Sequence, residues 1–137
     1  MLGEKLGEMQ GKVTSQRVLQ SDGPAPKVET SFEISGTMVG TEATMMATYW
    51  STVLPDGSLY GECPRQGVIM TKEGEMGTWS GTGAGRFTGR GSAVSFRGVV
   101  YFQTTSQKLA RLSGTAVVYE WEVDENGNGQ ASFFEWK

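Results

Sequence analysis

Hydrophobic and polar positions alternate along most of this chain, most clearly from Met76 to Gly91, which reads MGTWSGTGAGRFTGRG. Alternate side chains of an extended strand point to opposite faces. Gly77, Trp79, Gly81, Gly83, Gly85, Phe87, Gly89 and Gly91 therefore share one face, and Met76, Thr78, Ser80, Thr82, Ala84, Arg86, Thr88 and Arg90 the other. One side of a long strand is bare except for two aromatic rings. Such a face lets a sheet bend tightly, or leaves room above it for something bulky.

The same period of two, with Val, Thr, Tyr, Trp and Phe enriched, predicts strands over Gly11–Gln20, Lys27–Val39, Glu42–Leu54, Ser58–Cys63, Gly67–Lys72, Glu75–Phe87, Ala93–Thr104, Leu109–Asp124 and Gln130–Trp136. Turn chemistry separates them at Pro55-Asp56-Gly57, Glu73-Gly74, Gly89-Arg90-Gly91, Ser106-Gln107 and Asn126-Gly127, with SDGPAP (21–26) as a surface loop. A helical spacing occurs only at Leu2, Leu6 and Met9, among nearby glycines, and predicts a single helical turn or an irregular arm. Long strands joined by hairpins form an up-and-down meander, and about eight close into a barrel. The expectation is an all-β fold, a closed antiparallel up-and-down barrel in one domain, residues 1–137.

Hairpin register then assigns faces. A two-residue turn at Asn126-Gly127 pairs Glu125 with Asn128. It gathers Val117, Tyr119, Trp121 and Val123 with Ser132, Phe134 and Trp136 on the core side. A turn at Ser106-Gln107 pairs Phe96 with Val117, putting Phe96, Val100 and Phe102 inside and Arg97 outside, on the same face of the sheet as Glu120, within pairing reach across the neighbouring strand. Trp79, Phe87, Phe96, Phe102, Tyr119, Trp121 and Trp136 thus become candidates to line an interior cavity for an apolar ligand. The strand Glu42–Leu54 has apolar bulk on both faces, which implies a cover on both. With no helix to supply it, Met45, Met46, Tyr49 and Trp50 are candidates for a homo-oligomer interface.

Composition narrows the chemistry. The chain has 137 residues, a net charge of -3, one cysteine and no histidine. Catalytic Ser-His and Cys-His pairs, His-ligated metals and internal disulfides are excluded. Scattered basic residues make nucleic acid a poor partner. No run approaches the ~20 apolar residues of a membrane-spanning helix, MLGEKLGEMQ lacks the basic and apolar regions of a signal peptide, and the expected location is the cytoplasm, away from membranes.

Asp124, Asn126, Asn128 and the distal Glu135 match the calcium-loop pattern D-x-[DN]-x-[DN]-G-x5-E. That motif needs flanking helices, and a strand precedes it here, so an Asn-Gly hairpin is expected in place of a metal site. GTGAGRFTG lacks the spacing and following helix of a phosphate loop. Arg86, Arg90, Arg97 and Arg111 read as surface cations, and Glu120 and Glu122 as solvated outer carboxylates. Cys63 reads as an inert small side chain. No catalytic residue and no cofactor are assigned.

The segment Gly77–Phe102, with its G-x-G-x-F-x-G-x-G strand (Gly83, Gly85, Phe87, Gly89, Gly91), resembles the corresponding hairpin of allene oxide cyclase-like barrels, including small uncharacterised bacterial members. The resemblance implies a calycin-like closed barrel, often oligomeric, whose tapered interior holds an apolar molecule. It carries over no catalytic residue. Three functions stay open: a non-enzymatic barrel binding a small apolar ligand, which is the first reading; a cyclase or isomerase acting inside it; and a filled-core structural protein without a ligand.

Overall fold

The computed structural model describes residues Met1–Lys137. Eight antiparallel strands close into a barrel in chain order: β1 (Leu2–Leu19), β2 (Lys27–Met38), β3 (Thr41–Val53), β4 (Leu59–Thr71), β5 (Met76–Phe87), β6 (Val94–Thr104), β7 (Val117–Val123) and β8 (Asn128–Trp136). The one helical element is a 3-10 turn, Ala110–Leu112. Each strand pairs with its chain neighbours, and β1 closes the ring against β8. No helix is long and apolar enough to cross a membrane.

The inward faces form one core of Leu6, Met9, Phe32, Ile34, Met38, Met45, Ile69, Trp79, Phe96, Phe102, Trp121, Phe133 and their neighbours. The barrel's two ends differ. At the end carrying the β2–β3, β4–β5 and β6–β7 connections, Met38, Ile69, Leu109, Leu112 and Val117 are fully buried and plug the opening. Leu109 and Leu112 flank and end the 3-10 turn, three residues apart, so both can point into the barrel. The connection is therefore not the expected Ser106-Gln107 hairpin, and β7 starts at Val117 rather than Leu109. Phe96 accordingly faces Trp121 instead of Val117. The offset is even, so the inward set Phe96, Val100 and Phe102 is unchanged.

Three further expectations are corrected. The first ten residues are neither helical turn nor arm but the start of β1. Against β8 this strand shifts register between Lys5 and Gly7, and a one-residue bulge resets the alternation. Leu6 and Met9, three apart, are consequently both buried, which imitates a helical stripe. Second, the expected strands Ser58–Cys63 and Gly67–Lys72 are one strand, β4, interrupted by a bulge at Pro64-Arg65-Gln66, where Arg65 takes φ of +54°.

Third, the β7–β8 turn has three residues, Glu125-Asn126-Gly127, because Asp124 pairs with Asn128 and Gly127 adopts φ of +82°. The Asp124 carboxylate accepts hydrogen bonds from the Asn126 and Asn128 backbone N–H groups and from Asn128 Nδ2. The extra residue turns β8 over: Ala131 and Phe133 face the core, while Trp136 lies outside and is 55% exposed.

Candidate functional site

Where β-strand parity places an inward glycine, a large neighbour lies over it. Gly67 sits opposite Trp79 across the β4–β5 ladder, and a Cβ on Gly67 would lie 2.0 Å from Trp79 Cε2. Gly85 faces Phe96 in the same way, and Gly81 faces Val100. Tyr119 reaches across Gly98, its partner in the ladder, and its hydroxyl donates to the Thr82 carbonyl of the next strand (3.2 Å). The bare face of β5 is thus largely a seat for rings from adjacent strands.

Two spaces remain. The inner one, about 60 Å³, lies in mid-barrel and is lined by Phe32, Ile34, Met45, Tyr49, Gly61, Glu62, Cys63, Trp79, Gly81, Thr82, Phe96, Val100, Tyr119, Trp121, Ala131 and Phe133. The outer one, about 280 Å³, is a mouth at the unplugged end, bounded by Val13, Gln16, Arg17, Val18, Val28, Thr30, Ser51, Val53, Leu59, Phe87, Gly91, Ser92, Val94 and Val123 together with Tyr49 and Phe96. Tyr49 and Phe96 line both spaces and stand edge to face, 5.9 Å between ring centroids. They form the partition between mouth and cavity.

Hydrogen bonding inside is nearly complete. Trp121 Nε1 donates to the Tyr49 hydroxyl (3.3 Å). Burial pushes the Tyr49 and Tyr119 hydroxyls up from their ordinary values, and pushes the Cys63 thiol up to about 11, with a backbone hydrogen bond at Gln66 opposing. All three groups are neutral near pH 7. The exception is Trp79: it is 7% exposed, and its Nε1–H is the one buried side-chain polar atom without a partner. An orphaned donor costs about 1–3 kcal/mol. Glu62 borders the inner cavity through its backbone only: it alternates with the inward Gly61 and Cys63 and pairs with Trp50 and Thr82, so its side chain is on the outer face.

Of the proposed lining residues, Trp79, Phe96, Tyr119 and Trp121 meet at the inner cavity. Phe102 is buried behind Trp79, 6.5 Å between centroids. Phe87 stands at the mouth, 51% exposed. Trp136 is on the outside. Of the proposed interface residues, Met45 and Tyr49 point inward, so neither belongs to a surface; Met46 is 56% exposed, and Trp50 lies outside under the Lys27 ammonium. Sequence reasoning missed Phe32, Ile34, Ala131 and Phe133. The alternation of Phe32 and Ile34 with Glu33 was the available signal for the first two.

The charged candidates lie away from these spaces. Arg97 pairs with Glu120 (3.8 Å) and Glu122 (2.5 Å) on the outer face. Burial acts to raise the Glu122 carboxyl, but hydrogen bonds from Ser95 and Arg97 outweigh it and hold the group below the usual range. Arg111 pairs with Glu4 and Glu135 at the plugged end. Glu135 is thereby separated from Asp124, whose carboxyl the Asn128 hydrogen bonds hold low. No group of three or more His, Cys, Asp or Glu side chains is arranged to hold a metal ion.

No family model and no curated protein matches this chain. Solved structures do. A conserved protein of unknown function from Rhodopseudomonas palustris is similar with a TM-score of 0.79 at 10% identity, over 98% of this chain and 97% of that one. A protein of unknown function from Clostridium acetobutylicum is similar with a TM-score of 0.79 at 14% identity, over 98% of each. At such identities the likeness carries the fold alone: this chain shares an eight-strand antiparallel barrel with both.

Proposed function

We propose that this protein binds a small, slender apolar molecule in the mouth and inner cavity of a calycin-like barrel of the allene oxide cyclase-like kind, without necessarily transforming it. The observation that carries this reading is the pair of apolar spaces sharing the Tyr49–Phe96 partition. The inner cavity alone is too small for a ring system, whereas a chain end or small functional group fits it and the mouth accepts the remainder. Burial of each methylene is worth ~0.8 kcal/mol, about a fourfold gain in affinity.

The test is displacement of N-phenyl-1-naphthylamine fluorescence by 1-hexanol, 1-heptanol and 1-octanol. Affinity should rise about fourfold per methylene, and Val94→Trp, which fills the mouth, should abolish binding in a folded protein. Absence of probe binding, or equal affinities in Val94→Trp, would exclude the reading.

The outer face of β3–β5 supports a further proposal, self-association. Met46, Met70 and Met76 are exposed there on adjacent strands, with Met70 directly opposite Met76.

A further inference from the structure

β1 outruns one of its two neighbours. Its pairing with β8 ends at Lys12 and Asn128, whereas its pairing with β2 continues to Leu19 and Lys27. On the β8 side, Val13 N–H donates to the Gly127 carbonyl of the β7–β8 turn. Beyond that bond Thr14–Leu19 pairs with β2 alone and is an edge strand within a closed barrel, with Thr14 through Val18 exposed. Alternate residues of such an edge direct N–H and C=O groups away from the paired neighbour, ready to receive another strand.

This free edge borders the mouth. Gln16 and Val18 lie opposite the inward Thr30 and Val28, and all four line the mouth. Val18 is 77% exposed, an apolar side chain with little to cover it. Across the gap stand Phe87, Ser92, Val94 and Val123. That far bank is fixed, because Ser92 Oγ donates to the Asp124 carbonyl (3.0 Å) and Arg90 N–H to the Glu125 carboxylate (3.1 Å). Between Gln16 and Val18, Arg17 projects from the outer face, 3.4 Å from Glu29 and still largely exposed.

We infer that the edge and the mouth together bind an extended peptide segment of a partner protein, which adds as a strand antiparallel to β1 in the place a longer β8 would fill. In this mode backbone pairing supplies affinity, and pockets for alternate side chains supply specificity. The peptide residue opposite Arg17 points outward and suits an acid. Its two neighbours point inward, over the gap between Val18 and Phe87, and suit Val or another small apolar residue. The segment recognised is therefore apolar, acidic, apolar in sequence, without proline. A small hydrocarbon ligand makes no use of backbone groups on this edge, so the inference goes beyond the small-molecule reading and does not depend on it.

The probe is a fluorescein-labelled Thr-Val-Glu-Val-Thr amide, with binding to the wild type followed by fluorescence anisotropy. Two methylated forms are compared, one N-methylated at both Val residues and the other at Glu and the final Thr. Only one parity of peptide N–H groups faces β1, so one form should bind roughly tenfold more weakly while the other stays within about threefold of the parent. Alternate amides within Thr14–Leu19 should gain protection from hydrogen exchange. Val94→Trp, which fills the mouth, should weaken the parent peptide about fivefold. A peptide with Lys in place of Glu should bind the wild type about threefold more weakly and recover in Arg17→Glu.

Equal effects of the two methylation patterns, or binding without protection of Thr14–Leu19, would overturn pairing at the edge; both arms use the wild type and do not depend on a variant folding. Unchanged affinity in a folded Val94→Trp would overturn the seating over the mouth, and no recovery in Arg17→Glu would overturn the acidic position. Absence of peptide binding, while the alcohols still displace N-phenyl-1-naphthylamine, would remove this inference and leave the small-molecule reading standing.

Discussion

Gly67→Ala adds one methyl group at the point where the barrel has least room for it. Its Cβ would lie 2.0, 2.2 and 2.5 Å from Trp79 Cε2, Cδ2 and Nε1, more than 1 Å inside ordinary contact distances of about 3.5–4.0 Å. Gly67 is not among the residues with positive φ, so alanine suits the backbone and would by itself add about 0.5–1 kcal/mol through reduced chain entropy. The steric term opposes this. Overpacking a core costs about 1–3 kcal/mol, and expelling an aromatic ring from one costs about 3–5 kcal/mol. The indole has little freedom to yield between Phe32 and Phe102. The net expectation is a loss of about 2–4 kcal/mol, or roughly 10 °C in Tm for a domain of this size.

Urea and thermal unfolding measure the loss, with Gly23→Ala as the reference, since no atom lies within 4 Å of a Cβ there. A double-mutant cycle with Trp79→Leu supplies the decisive comparison. Removing the indole should relieve the clash and give a coupling of at least about 1 kcal/mol. If Gly67→Ala behaves like Gly23→Ala, or the two changes simply add, the idea that inward glycines are seats for rings is wrong.

Gly83→Val should displace the Tyr119 hydroxyl, which would lie 2.1 Å from the new Cβ, and lower stability by about 1–3 kcal/mol; an unchanged Tm would refute this. Cys63 should resist a thiol reagent at pH 8 and react fully on unfolding, since its native pKa is about 11 against an ordinary 9.0. The unfolded chain releases this proton first as pH rises, so the thiol's contribution to stability is complete below pH 9 and is lost as pH climbs through 11. If Cys63 instead made stability increase over that window, the burial argument would fail. Sedimentation at micromolar concentration should show an oligomer that Met46→Lys with Met70→Lys dissociates. A monomeric wild type would rule out self-association through this face.

Much of the barrel is legible in the sequence because one physical rule, alternation across a wall, acts on nearly every strand. The inward placement of Trp79, Phe96, Tyr119 and Trp121 follows from that rule and from the even offset between β6 and β7. The failures occur where the chain departs from alternation by a single residue. At Asn126-Gly127 both two- and three-residue turns suit the local chemistry, and it is the Asp124 carboxylate, gathering three donors, that accompanies the longer one. Trp136 and Phe133 exchange sides as a result. Around Leu6 a bulge produces a helix-like spacing in a strand. The orphaned Trp79 donor was not legible either, because it depends on which partners the folded chain fails to bring near it.

The bulge in β4 follows a different arithmetic. Between Cys63 and Gly67 this strand advances four residues while β5 advances two, from Gly81 to Trp79. Two extra residues leave parity intact, so Cys63 and Gly67 both still face inward. A barrel wall can therefore gain or lose residues in pairs without exchanging its inside for its outside, whereas a change of one turns over everything downstream until another odd change restores it. Chains of very different spelling can build one such wall, as the fold shared with two structures at 10% and 14% identity illustrates, provided that any insertions and deletions keep count in twos.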